Sequence, residues 1–547
     1  MPLASIEDLS LAYGMNHYLV DTPLRDTLRY YLGSEPSLSG LGEYAGGYLY
    51  EVAYRVDRIN PPVHIMWSVR GDRSDVAWLD PSHRRVIKDL MLTYGVNRHP
   101  FQEEGGWHTH YASINLIGDP GLACILTITV QTAYALEKYG SDDVRGYYKN
   151  LAGIEEPIML GATWFTEIQG GSDLGANTTT ARRVNGKWVL DGYKYFASGA
   201  GLADIALATA RPQGARPGAK GLALFAVPRI RSDGRLNYSV RRLKEKSGTI
   251  PVPTGEVELA GSEAYLLGRS DEGIYYTLED LMVSRLSNSA GAIGIARKAY
   301  LEAYQYARHR RAFGRRIIEH QLVRRDLLEM EVLIEESLAI THKAVQLFQD
   351  STGDRPPYTS TYHYARLMTH IAKNLTAQAA ARVTMLAMEL FGGIGFLREY
   401  TIERWHREAL ITPIWEGTSN IQALDMLEAM YKKKAHEPLI EDLDSMAREA
   451  YDKELALKAV EAARTSLART SSMPPSEAEF RAKYLLEDLG HSTAVVLLES
   501  MASSLGEERY HHVAKIVYDS LLHRKPIENP GDTVLEDIIS LGGGLEL

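Results

Sequence analysis

A chain of 547 residues exceeds one ordinary hydrophobic core, which sets an expectation of several domains. Its 45% hydrophobic and 24% charged residues are those of a globular protein, and a net charge of −10 argues against a general polyanion binder. The single cysteine, Cys124 in LACILTITV, excludes a disulfide framework or a cysteine-built zinc site within one chain and suits a reducing compartment.

The start, MPLASIEDLS, has no basic stretch followed by an apolar one, and no later run approaches the roughly 18 apolar residues of a membrane span. The expected location is cytoplasmic, with no membrane partner. Residues 1–155 read as an N-terminal helical domain, broken by turn signals at Asn60-Pro61-Pro62 and His99-Pro100. The texture changes near residue 160. KWVLDGYKYFA, DIALATA, GLALFAVPR and EVEL read as strands, so 156–270 is expected to be a middle antiparallel β-barrel domain. RPQGARPGAKG reads as a hairpin connection between two of these strands.

Helical periodicity returns in 280–310, 319–350, 359–391 and 419–434. A thirty-residue helix is about 45 Å long, so residues 271–434 are expected to form a four-helix bundle. In the last of these helices the apolar run is Ile421, Leu424, Met426, Leu427 and Met430, with Thr418 or Ser419 as the cap. Residues 435–547 read as a C-terminal helical extension, with a linker at RTSSMPP and a capping box from Ser476 to Glu479. From residue 431 onward 14 Lys and Arg face 21 Asp and Glu, an acidic balance. The fold class is mainly α with a middle β domain.

Several chemistries are missing from the sequence. No Gly-x-Gly-x-x-Gly follows a strand, and there is no P-loop and no His-Glu-x-x-His. His108 and His110 lack further placed metal ligands and read as structural, and no metal is expected. His363 and His370 share a helix face without a carboxylate at ligand spacing. Ser198 lacks the glycine of a nucleophile elbow.

Other segments carry chemistry. TWFTEIQGGSDLGANTTT, residues 163–180, gathers glycines and hydroxyls that can approach a flat, polar-edged ligand. FASGAG places Phe196 and Ser198 two apart at a strand end, where they share a face. RHRRAFGRRIIEHQ interrupts helical sequence with Phe-Gly among five arginines, a pattern suited to holding a diphosphate. MELFGGIGFLREY adds a second glycine-rich helix break. PIWEGTSNIQ sets Glu416 before a helix, which by itself is an ordinary helix-entry acid.

Taken in order, WFTEIQGGSD, YKYFAS, RRAFGRRIIEHQ, LFGGIGF and IWEGTSNIQ resemble the acyl-CoA dehydrogenase flavoprotein superfamily over about residues 80–432. TEIQGGSDLGANTT, AMELFGGIGF and the extension resemble its AidB-like (alkylation-response) branch. The resemblance implies FAD as cofactor and a homotetramer built as a dimer of dimers. It further implies an oxidoreductase in which Glu416 removes the α proton of an acyl-CoA-like substrate while the β hydrogen leaves as hydride to flavin N5. By resemblance, Phe165, Thr166, Gly171 and Ser172 meet the flavin edge, and Phe196 and Ser198 cover the ring. Arg310, Phe313 and Gln321 reach the FAD of a neighbouring subunit, and Gly392, Gly393, Trp415, Thr418 and Asn420 line the cofactor. Trp415 helps keep the pocket dry.

The resemblance also assigns Arg285 to substrate binding, but the Asp that family members carry three residues earlier is Met282 here. It names neither the acyl chain nor the electron acceptor. The rival reading is an AidB-like, DNA-associated protective flavoprotein. In that branch DNA binding is attributed to basic C-terminal residues. Here the extension is acidic, which argues against it, and Lys432, Lys433, Lys434, Arg524 and Lys525 form at most a local patch.

Overall fold

The computed structural model describes residues 9–525, 528 and 530–540. Two compact units emerge. One takes in residues 51–106 and 119–284, the other residues 1–50, 107–118 and 285–547.

The first of these units holds a feature the helical reading of residues 1–155 missed. Strands β1 (Val63–Trp67) and β2 (Arg73–Trp78) form an antiparallel hairpin, with Val63 opposite Trp78 and Ile65 opposite Val76. Alternation is clear in both strands, but each is only five or six residues long, too short to stand out beside helical neighbours. Seven further strands follow: β3 (Gly161–Trp164), β4 (Thr180–Val184), β5 (Lys187–Ser198), β6 (Ile205–Pro212), β7 (Ala223–Pro228), β8 (Ser239–Leu243) and β9 (Thr254–Leu266). The pairings β6–β4, β4–β5, β5–β9, β9–β7 and β7–β6 close a ring, with β3 on β6 and β8 on β9. β3–β6 and β4–β6 are parallel and the rest antiparallel. The barrel is therefore mixed instead of the expected antiparallel one, because β3 and β4 reach β6 by crossover and not by a hairpin. Closure removes exposed edges. β6 and β7 are antiparallel, so RPQGARPGAKG is the hairpin connection expected. The barrel core alternates small and large side chains, Ala206, Ala208 and Ala223 against Trp164, Phe225 and Tyr238.

The second unit is helical. Helices Gln321–Ser351, Ser360–Leu390 and Ser419–Lys433 follow the expected periodicity closely, as does Gly273–His309, which begins at a residue of the other unit. The 419–433 helix buries Ala423, Met426, Leu427 and Met430 but leaves Leu424 41% exposed, so the stripe is narrower than the sequence pattern implies. Helices His436–Glu449, Lys453–Ser471, Pro475–Leu505, Glu508–Ile516 and Asp532–Ile539 make up the extension. The 475–505 helix starts on Pro475 after Pro474, one residue before Ser476, so the expected capping box does not form. Proline at the first helical position supplies the start instead. A Cβ at Gly490 would lie 2.1 Å from Leu375 Cδ1; glycine is what lets this helix approach the 360–390 helix so closely. Among the described residues no helix is long and apolar enough to cross a membrane.

A buried ionic chain ties the extension down. Arg297 meets Asp21 at 3.1 Å and Glu331 at 2.5 Å, and Arg509 meets Glu331 at 3.2 Å and Glu335 at 2.5 Å. Burial raises the Glu335 carboxyl to about 7, against the pull of Arg509 and helped by Glu331. A carboxyl raised on folding stabilises most at low pH, and that contribution is lost as pH rises through its folded value. Melting curves of wild type and Glu335→Gln should therefore diverge between pH 4.5 and 7. Wild type loses up to about 1.4 kcal/mol per pH unit relative to the variant. Parallel curves would show that Glu335 ionises normally.

Candidate active site

The turn before the 419–433 helix is held by its backbone. Glu416 has φ +57° and Gly417 φ +94°, so two successive residues take left-handed conformations. Three buried side chains compensate for the strain. Arg285 Nε donates to the Glu416 carbonyl at 3.0 Å, and Lys373 Nζ donates to the Gly417 carbonyl at 2.7 Å. Gln422 Nε2 reaches both carbonyls, at 3.0 and 2.9 Å, while its Oε1 lies 2.7 Å from His370 Nδ1. Glu416 itself is half-buried.

These donors have their own supports. Arg285 sits 3.5 Å from Asp425, which also faces Arg366 at 3.6 Å and His370 at 3.7 Å. Burial, together with Arg285 and Arg366, holds His370 far below its usual value and hence neutral. Burial pushes the Lys373 ammonium down to about 7, with Arg285 adding to the effect and Glu416 opposing it. A neutral amine still donates, so the bond to Gly417 survives deprotonation.

Arg285 is buried and turned onto the Glu416 carbonyl, and Met282 is 1% exposed. Trp415 Nε1 donates to Asn288 Oδ1. Thr418 occupies the N-cap position without a side-chain cap bond and is exposed, as is Asn420. Ser419 Oγ accepts from Gln378 Nε2 at 3.1 Å.

The residues expected at a flavin edge belong to the barrel unit. Phe165 packs its ring into the core, and its carbonyl accepts from Asn177 Nδ2 at 2.6 Å. Thr166 gives its carbonyl to Tyr195 N–H at 3.0 Å, while Gly171 and Ser172 are exposed. Phe196 is 55% exposed at the end of β5, beside Tyr195. Ser198 Oγ lies 3.1 Å from Thr254 Oγ1.

Sequence reading passed over the residue that organises this loop, Glu167. It accepts from Lys194 Nζ at 2.9 Å, Thr178 N at 2.7 Å and Thr179 N at 3.2 Å. Burial alone would raise its carboxyl, but Lys194 and these donors bring it down to about 2. The TEIQGGSD loop is therefore pinned at its second residue, which leaves the glycines at its tip exposed.

The arginine-rich break is a second hairpin, β10 (Arg311–Ala312) with β11 (Arg315–Arg316). Phe313 and Gly314 both have positive φ at its tip, and Phe313 is 96% exposed. Arg310, Arg311, Arg315, Arg316 and Gln321 are exposed as well. Gly392 and Gly393 open a 3-10 turn, Gly392–Phe396, and both are exposed. An exposed aromatic beside a glycine-rich loop suits a flat heterocycle, and four exposed guanidinium groups suit a diphosphate, so each unit has a donor set that fits part of FAD.

The C-terminal basic residues are interleaved with acids. Lys432 pairs with Glu428, Lys434 with Glu437, Arg524 with Glu487 and Asp488, and Lys525 with Asp519. His108 stacks on His342, with their Nδ1 atoms 2.9 Å apart. Among the described residues no group of three His, Cys, Asp or Glu is placed to hold a metal ion.

Residues 162–261 match the acyl-CoA dehydrogenase middle domain, and residues 271–431 match the acyl-CoA dehydrogenase C-terminal domain. AidB of Escherichia coli K12 is 29% identical over 396 residues, 69% of this chain and 71% of that protein. An acyl-CoA dehydrogenase of Bacillus subtilis is 31% identical over 284 residues, 51% of this chain and 69% of that protein. In fold, the chain resembles the crystal structure of Caenorhabditis elegans ACDH-11 in complex with C11-CoA. The TM-score is 0.84 at 23% identity, over 97% of this chain and 95% of that one.

Proposed function

The chain belongs to the acyl-CoA dehydrogenase family, and from that premise we propose that it is an FAD-dependent oxidoreductase that desaturates an acyl thioester between its α and β carbons, with Glu416 as base. The observation that carries the reading is the clamp on the Glu416–Gly417 turn. Three buried donors from three helices grip its two carbonyls, so the backbone is immobilised while the half-buried carboxylate extends from it. Such rigidity is what a positioned base requires.

When bound, the flavin supplies the acceptor for the hydride that leaves the β carbon as the α–β double bond forms. Glu416 takes the α proton onto its carboxylate. Arg285, Lys373 and Gln422 act as positioning residues for it. Trp415, fixed by Asn288, lies next to the base and limits the water that reaches it. Phe196 and Ser198 would cover and hydrogen-bond the ring, and the loop pinned by Glu167 would offer Thr166, Gly171 and Ser172 to its polar edge. Arg310, Phe313 and Gln321 would reach the cofactor of a neighbouring copy in a homotetramer, a role that suits an aromatic 96% exposed at a cationic tip.

A DNA-associated role gains no support from the basic patch, since carboxylates beside its members compete with phosphate. The test is anaerobic addition of acyl-CoAs of graded length to the FAD-loaded protein, following visible flavin absorbance and the enoyl product by mass. At least one acyl-CoA is expected to bleach the flavin with stoichiometric enoyl formation. A flavin that stays oxidised throughout, with salt-sensitive duplex binding, would overturn the reading in favour of the DNA-associated one.

A further inference from the structure

Arg285 and Asn288 lie three residues apart on one face of the 273–309 helix, and both bond to the segment that carries the base. Arg285 holds the Glu416 carbonyl at 3.0 Å, and Asn288 Oδ1 accepts from the Trp415 indole. An indole N–H can only donate, so the amide atom facing it must be the oxygen, and the orientation of Asn288 is settled. Its Nδ2 therefore points away from Trp415. Asn288 is 4% exposed, and among the described residues this Nδ2 has no acceptor. Among the described residues the adjoining Ser287 hydroxyl is likewise buried without a partner.

Buried amide donors are almost always paired, and a lone one is costly unless something else meets it. One turn further along, a Cβ added to the buried Gly291 would meet only Ile114 Cγ2, at 4.0 Å, so the helix face beside the donor can take at least one further methyl-sized group without a clash. All of these groups belong to one unit of the molecule. If the neighbouring ligand group were a plain hydrocarbon, an apolar side chain at 288 would serve it better and would leave no donor stranded.

We propose that Asn288 is a specificity-determining residue whose Nδ2 donates to an oxygen on the acyl chain, so that hydroxy- or oxo-acyl thioesters are preferred over the matching hydrocarbon chains. Trp415 is its positioning partner. The inference rests on the acyl-thioester reading of the Glu416 site and narrows it to an oxygenated substrate class.

The test is equilibrium binding to FAD-loaded Glu416→Gln, which separates recognition from turnover. The probes are acyl-CoAs of equal length, either plain or carrying one hydroxyl or oxo group at successive positions beyond the β carbon. At one position the oxygenated chain is expected to bind about tenfold more tightly than the plain one. In Glu416→Gln/Asn288→Val that preference should vanish, the oxygenated and plain chains of equal length binding alike. Equal or weaker binding of every oxygenated chain would overturn the proposal, and this arm needs no substitution at 288. A preference that persists in the double variant would overturn the role of Asn288. If the protein holds FAD but binds no acyl-CoA of either kind, the acyl-thioester reading itself fails and this proposal falls with it.

Discussion

Glu416→Gln is expected to keep its FAD and its fold while acyl-CoA-driven flavin reduction falls by about 10²–10⁴-fold, the usual contribution of a positioned acid or base. Glutamine matches glutamate in size but accepts no proton at neutral pH, so the proton transfer is removed, together with a negative charge near Lys373 and Arg285, while the shape is kept. The fold should be indifferent, because Arg285, Lys373 and Gln422 act on main-chain oxygens and would hold a glutamine turn equally well. Stopped-flow absorbance under anaerobic conditions reads the rate directly. A variant as fast as wild type would move the base elsewhere in the chain.

The second large effect is expected at Arg285, through geometry instead of proton transfer. Arg285→Met removes the donor to the Glu416 carbonyl and leaves Asp425 with Arg366 and His370 alone. Arg366 still faces the partly exposed Asp425, so what is lost is one buried donor and part of an ion pair, and a loss of about 1–3 kcal/mol in stability is expected. Once the left-handed Glu416 conformation is no longer clamped, the carboxylate should wander from its productive position. The kinetic signature is a fall in kcat that exceeds any rise in KM, whereas a residue that mainly bound substrate would shift KM. Arg285→Lys restores the charge without the planar fork and should recover stability better than rate. Unchanged kcat in Arg285→Met would remove the positioning role.

The long helices were legible because a 3.6-residue period sustained over some thirty residues leaves little ambiguity. Barrel strands such as β5, β6 and β7 stood out through their Gly and Pro punctuation, whereas β1 and β2 were too brief to separate from helical surroundings. Leu424 shows a different limit. Its spacing fits the apolar stripe, but exposure is decided by neighbouring elements, and 41% of it faces solvent.

At the candidate site, Glu416 and the arginine hairpin could be named from local motifs. The groups that hold them could not. Lys373 lies 44 residues from the carbonyl it binds and Arg285 lies 131 residues from its own. Arg285 could be named for the substrate but not for the turn, and a lone lysine in the run HIAKNLTAQAAARV does not reveal which oxygen it serves. Glu167 was hidden for a related reason: a buried acid in a loop becomes visible only when Lys194 and the Thr178–Thr179 amides close around it.

The central claim is that Glu416 takes a proton from the carbon next to a thioester carbonyl. The most direct measurement is deuterium uptake at that carbon when an acyl-CoA is held with the FAD-loaded protein in D₂O without oxygen, read by mass spectrometry of the recovered thioester. Wild type is expected to introduce α-deuterium on the timescale of flavin reduction, and Glu416→Gln to leave the α position unlabelled. Equal labelling by both proteins, or flavin reduction by wild type with no α-label in recovered substrate or loss of α-hydrogen in product, would contradict it.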